Sequence, residues 1–178
     1  MLKKWKELSS KEILKAHVFR YIQKVRQTPD GKKEGTFDVL HCANWINILA
    51  FDEKNQLIMV KQYRHGTDEI SLELPAGVID PNESALDAAK RELQEETGYS
   101  SKNWQEIGVL KPNPAFIDNT CSFFLAKDCK KTHETNFDYF EEIETHLYDL
   151  DEVKEMIRAK KIGHSLVACG LYFYDNLI

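Results

Sequence analysis

Residues 83–97 carry the pattern that most restricts this chain. Leu86, Ala89 and Leu93 recur at helical spacing, while Glu92, Glu95 and Glu96 fall at i, i+3 and i+4 and share one face. The spacing predicts a helix, ended by Gly98 in the left-handed C-cap position. Such a helix buries its apolar stripe and must accommodate three like charges beside it, which repel by roughly a few tenths of a kcal/mol per pair. Only Lys90 and Arg91 stand near enough in sequence to offset them. Ala85 and Ala88, one turn earlier on the carboxylate side, are small, so the surface there is expected to be open. A solvated acidic face is one reading. A hard divalent cation, held by carboxylate oxygens and keeping water and phosphate in its remaining positions, is the other.

Strand patterns surround this helix. Residues 17–26 alternate, with His17, Phe19, Tyr21, Gln23 and Val25 on one face, and a turn at Pro29-Asp30-Gly31 leads to a second strand near 36–42. Residues 45–51 and 56–64 form another expected pair across the polar turn 52–55. Further strands are expected near 104–110, 120–127 and 141–148, and helices at 151–160 and about 164–176. A sheet flanked by helices gives an α/β or α+β sandwich.

Composition removes several classes. With 178 residues the chain is long enough for a full core. Cys42, Cys121, Cys129 and Cys169 show no C-x-x-C pairing or metal spacing, which fits reduced thiols in a cytoplasm rather than a disulfide or zinc scaffold. The first fifteen residues lack the apolar region of a signal peptide, and no run approaches the roughly 18 apolar residues that cross a bilayer. A net charge of −5 argues against a nucleic-acid partner, because backbone affinity rests on surplus Lys and Arg. The charge is uneven. Residues 1–40 hold ten bases and five acids, whereas 77–99 hold six acids and two bases, so a small diphosphate could be bound there only with metal present. An EF-hand loop starting at Asp80 fails, since Ala85 stands where Gly is needed and Arg91 where the bidentate Glu belongs. No P-loop or H-E-x-x-H motif is present.

Gly77, Glu83, Arg91, Glu92, Leu93, Glu95, Glu96 and Gly98 fall at the spacing G-x5-E-x7-R-E-U-x-E-E-x-G-U, where U is a bulky apolar residue and Tyr99 stands at the last position. In this the chain resembles the Nudix hydrolases. The resemblance implies an α-β-α sandwich with a mixed sheet and an N-terminal antiparallel strand pair. It also implies Mg2+-dependent cleavage, with Mn2+ as the alternative, of a nucleoside diphosphate linked to another moiety. By family role Glu92 and Glu96 are metal ligands, Glu95 a further ligand in the catalytic centre, and the Ala76 carbonyl joins them. Glu83 and Arg91, with Gly77 and Gly98, support the loop and helix.

Gln62-Tyr63-Arg64, Glu73-Leu74-Pro75-Ala76-Gly77 and Pro114, 15 positions past Tyr99, resemble the ADP-ribose and nucleoside-diphosphate-sugar pyrophosphatase branch. This implies a nucleotide-sugar substrate and a homodimer with exchanged N-terminal strands, residues 1–40 preceding a catalytic domain of 41–178. Arg64 is a phosphate contact or an ion-pair partner of Glu69 or Glu73. Glu73 and Pro114 are further substrate candidates, and Phe19 and Tyr21 either stack on the base or pack in a core. The general base comes from the acidic segment 133–142, with Glu141 ahead of Glu142. The alternatives are a Nudix hydrolase of a dinucleotide or nucleoside triphosphate, and a catalytically silent Nudix-like ligand sensor.

Overall fold

The computed structural model describes residues 1–137 and 139–177; Asp138 of the acidic segment and Ile178 lie outside the described residues. The chain divides into two units, one of Met1–Asn44 with Lys111–Thr120, the other of Trp45–Leu110 with the chain from Cys121 on.

In the first unit three antiparallel strands follow in order: β1 (Lys6–Lys15), β2 (Phe19–Gln27) and β3 (Glu34–Cys42). The expected β2–β3 hairpin forms around Gly31, whose φ of 73° places it in the left-handed region open to glycine. β1 was not anticipated. Its sequence KELSSKEILK lacks apolar alternation, and all ten of its residues are exposed. Residues 113–118 lie along β3, where the Leu40 N–H donates to the Phe116 carbonyl at 2.8 Å.

The second unit is built on an eight-stranded mixed sheet of β4 (Trp45–Asp52), β5 (Leu57–Arg64), β6 (Glu69–Glu73), β7 (Ala76–Val78), β8 (Tyr99–Ser100), β9 (Asn103–Leu110), β10 (Cys121–Lys131) and β11 (Ile143–Tyr148). β10 runs parallel to β4, and the other pairings are antiparallel. Three helices accompany it: α1 (Ala85–Thr97), α2 (Leu150–Arg158) and α3 (Ser165–Asp175). The apolar run in β4 is continuous because both its faces are covered. Ile46, Ile48 and Ala50 pack with Ala88, Ala89 and Leu93 of α1, while Leu49 and Phe51 pack with Val153, Val167 and Leu171 of α2 and α3. Helices therefore flank a mixed sheet, as the sandwich requires. β6, β7 and β8 had no counterpart in the sequence pattern, since each is five residues or fewer. No helix among the described residues is long and apolar enough to cross a membrane.

Candidate active site

α1 begins where its chemistry directs. Ser84, at φ −76° and ψ 151°, is the N-cap, and its hydroxyl oxygen accepts the Asp87 N–H at 3.1 Å. The helix therefore starts at Ala85 rather than 83. Gly98, with φ 75°, closes it by donating its N–H to the Gln94 carbonyl at 2.8 Å. Ala88 is fully buried, which corrects the expectation of an open surface beside the carboxylates. Its small side chain lets α1 approach β4 closely, and this carries the carboxylates inward with it.

The acidic face is accordingly not solvated throughout. Glu96 is 2% exposed and accepts the Ala76 N–H from β7 at 3.1 Å. Burial, with the nearby Glu92 charge adding to it, pushes the Glu96 carboxyl well above its usual range. Glu92 is largely buried, and desolvation raises it to about 7 although Arg91 acts in the opposite direction. Glu95 is more open.

Arg91 spreads over this face. Its Nε donates to Glu83 Oε1 and its Nη2 to Glu83 Oε2, both at 2.9 Å, while Nη1 reaches Glu92 at 2.7 Å and Glu95 at 3.1 Å. A further bond to the Val78 carbonyl, at 3.0 Å, ties the helix to β7. Gly77 has a steric reason to be glycine: a Cβ there would lie 2.0 Å from Glu92 Cδ. The backbone of β7 thus forms a wall against the Glu92 carboxylate.

Arg64, at the end of β5, pairs with Glu73 rather than with its cross-strand neighbour Glu69. Nε and Nη2 donate to the two carboxylate oxygens at 2.8 and 2.6 Å. Glu73 is buried. Desolvation raises its pKa, but Arg64 prevails and holds it below the usual carboxylate value. A cavity of about 340 Å3 brings together Arg64, Glu92, Glu95, Glu96, Arg91 and Glu141. Glu142, next along the chain, is exposed and does not line it. Residues 132–136 are anchored on the C-terminal end of α1. The Gly98 carbonyl accepts the Thr132 and His133 N–H groups at 2.9 and 3.1 Å, and the Glu95 carbonyl accepts the Asn136 N–H at 2.9 Å.

Trp45, Gln62 and Asn136 also line this cavity and were given no site role from sequence, although Gln62 stands in the segment Gln62-Tyr63-Arg64 and Asn136 in the acidic segment 133–142. For Gln62 a signal existed, because it stands two residues before Arg64 on the same strand face. Its Nε2 is buried with no hydrogen-bond partner among the described residues. In the N-terminal unit, the Tyr21 hydroxyl donates to Asp38 at 2.6 Å and accepts from Gln23 at 2.9 Å, and Phe19 is half-buried. Pro114 lines a cavity of about 480 Å3 in that unit together with Trp5, Lys24, Arg26 and Phe37, but neither Phe19 nor Tyr21 does. Trp5 and Phe37 meet edge to face, with centroids 5.5 Å apart.

The donor set suits a hard divalent cation. Two largely buried carboxylates need a positive charge beside them, and oxygen ligands are what Mg2+ and Mn2+ take. Among the described residues no three His, Cys, Asp or Glu side chains gather into a ready cage, since Glu92 and Glu95 both turn to Arg91. The guanidinium stands where a cation would be favoured.

Comparison with known proteins bears on the family and the fold. The model of the NUDIX domain matches residues 43–166. The ADP-ribose pyrophosphatase of Bacillus subtilis (strain 168) is 28% identical over 175 residues, covering 94% of this chain and 94% of that protein. The methanol dehydrogenase activator of Bacillus methanolicus is 27% identical over 169 residues, covering 94% and 91%. A crystal structure of an ADP compounds hydrolase superposes with a TM-score of 0.86 at 19% identity, over 98% of this chain and 94% of the other, which shows a shared fold.

Proposed function

Because this chain belongs to the NUDIX domain family, we propose that it hydrolyses the pyrophosphate bond of a nucleoside diphosphate sugar, releasing a nucleoside monophosphate and a sugar phosphate. It is a Nudix pyrophosphatase, a hydrolase. The observation that carries the substrate reading is the single cavity holding buried Glu92 and Glu96, the cation Arg64 and the carboxylate Glu141. ADP-ribose is the first substrate to test, as the activity named for the Bacillus subtilis relative, which matches nearly the whole chain.

Glu92, Glu95 and Glu96, with the Ala76 carbonyl, would hold a divalent cation, Mg2+ ahead of Mn2+. Bound there, it would neutralise charge on the diphosphate oxygens and lower the pKa of an attacking water. The remaining roles fall to side chains. Arg64 binds phosphate oxygens while Glu73 fixes its plane. Glu141, rather than Glu142, takes a proton from the water as its oxygen bonds to phosphorus. The anhydride P–O bond then breaks and its electron pair leaves with the departing phosphate. Glu83 and Arg91 brace α1 against β7, and Gly77 and Gly98 permit the close approaches around them. Phe19, Tyr21 and Pro114 are assigned to the base and sugar. We assign a cytoplasmic homodimer in which the N-terminal strands take part. Sedimentation as a monomer at micromolar concentration would reject the dimer.

The test is hydrolysis of a panel containing ADP-ribose, GDP-mannose, dinucleotides and nucleoside triphosphates, run with Mg2+ and Mn2+ in parallel and read by chromatography of the nucleoside monophosphate released. Turnover of the nucleotide sugars is expected. Rapid turnover of triphosphates with none of ADP-ribose or GDP-mannose would overturn the substrate reading, and no turnover of any compound would favour a ligand sensor.

A further inference from the structure

α3 starts with an unusual residue. Helix N-caps favour Ser, Thr, Asp and Asn, whose short side chains accept a backbone N–H. Here the position is held by His164, with φ −72° and ψ 114°, and among the described residues it makes no capping bond. Its ring is instead turned to Glu73: Nε2 lies 3.6 Å from Glu73 Oε2, a polar contact too long for a hydrogen bond. The same Oε2 accepts from Arg64 Nη2 at 2.6 Å. On the other side of the ring, Nδ1 is buried with no hydrogen-bond partner among the described residues. A cap residue that forgoes capping, and leaves one ring nitrogen unsatisfied to present the other to a buried carboxylate, has a role in holding that carboxylate.

We propose that His164 is a positioning residue: it stands against Oε2 of Glu73, the oxygen that also takes Arg64 Nη2, and so holds that carboxylate and, through it, the orientation of the Arg64 guanidinium in the active-site cavity. The chain of contacts runs from the start of α3 through the end of β6 to the end of β5, and it finishes at a residue that lines the cavity with Glu92, Glu96 and Glu141. A bidentate pair fixes both planes together, so a second contact on Glu73 restrains Arg64 as well. His164 is not among the residues lining the cavity, and it acts only through Glu73. The proposal rests on the reading of Arg64 as a phosphate contact.

The experiment compares wild type, His164→Ala and His164→Gln, the last keeping an N–H near the position of Nε2. Hydrogen exchange of the Arg64 Nε–H is followed by 15N NMR in metal-free protein, the resonance being assigned with Arg64→Lys. In His164→Ala exchange is expected to speed up about tenfold, and KM for ADP-ribose to rise about five- to tenfold with kcat within about twofold. His164→Gln is expected to recover most of both effects. If His164→Ala lowers Tm yet leaves the Arg64 resonance and KM unchanged, His164 merely fills space at the helix start and the proposal is overturned. Failure of the glutamine variant to restore either readout, in a folded protein, also overturns it. Should wild type hydrolyse no nucleotide sugar, the functional reading falls alone, and the exchange measurement still decides whether His164 holds Arg64 through Glu73.

Discussion

Arg91 and Arg64 line one cavity, but the first spreads its guanidinium over Glu83, in the turn before α1, and over Glu92 and Glu95 on the helix, while the second commits two donors to one buried carboxylate. Arg91 and its partners, the Val78 carbonyl and Asp80 included, all come from residues 78–95, and Glu92 and Glu95 are reached within a single helical turn. Arg64 and Glu73 meet across the β5–β6 hairpin, and His164 joins them from more than ninety residues further along. A local, half-solvated network can exchange partners at modest cost. A pair built on a buried carboxylate cannot, because losing the arginine strands the Glu73 charge out of water. The Arg91 side thus suits carboxylates that must turn to a cation, and the Arg64 side suits a donor that must keep one direction.

Substitution should separate the two sides most strongly in stability. Arg64→Ala leaves Glu73 buried without its main partner and is expected to destabilise the fold by about 3–5 kcal/mol. Arg91→Ala acts on a more exposed network and should cost about 1 kcal/mol. Urea midpoints at constant m measure both, and equal losses would abolish the distinction. Glu96→Gln removes an oxygen ligand from the most buried point of the carboxylate face, so kcat/KM is expected to fall about 10²–10³-fold. Steady-state hydrolysis of ADP-ribose in Mg2+ checks this.

A pH series sharpens the same contrast. Glu92 has a folded-state pKa of about 7, above the ordinary carboxylate value, so the folded chain binds its proton more tightly than the unfolded chain does. Metal-free stability is therefore full below the ordinary value, declines as pH rises toward 7 and stays low above it. The loss is about 3 kcal/mol from this group. Thermal melts from pH 4.5 to 8 should show the decline, and Mg2+ should raise Tm more at pH 8 than at pH 5. A flat metal-free profile contradicts the buried-carboxylate account. The smallest effects belong to the surroundings. Gly77→Ala, which sets a Cβ against Glu92, should cost about 1–3 kcal/mol by overpacking, and Ser84→Ala about 1 kcal/mol by loss of the cap. Denaturant titration of each variant reads these directly.

Which of these features could be read in advance follows from how local they are. Helix α1, its glycine stop, the β2–β3 and β4–β5 pairs and the spacing of Glu92, Glu95 and Glu96 depend on neighbours within a few residues, and the structure has them in those places. β1 was invisible because no face of it is buried, and β6 to β8 because a few residues carry too little period to detect. The chain pattern left Arg64 with two partners, Glu69 and Glu73, and assigned His164 nothing beyond a helix start.

Periodicity and spacing alone therefore determined that three carboxylates would share one face of a capped helix beside an apolar stripe. Only the tertiary structure decided that this face is partly buried, since Ala88 lets α1 settle on β4 and brings Glu96 to the backbone of β7. It also decided which carboxylate Arg64 takes and that His164 stands beside that carboxylate. The physical reason is the same in each case. Burial and long-range charge pairing depend on atoms distant in sequence, and a one-dimensional pattern registers only the residues that are near one another along the chain.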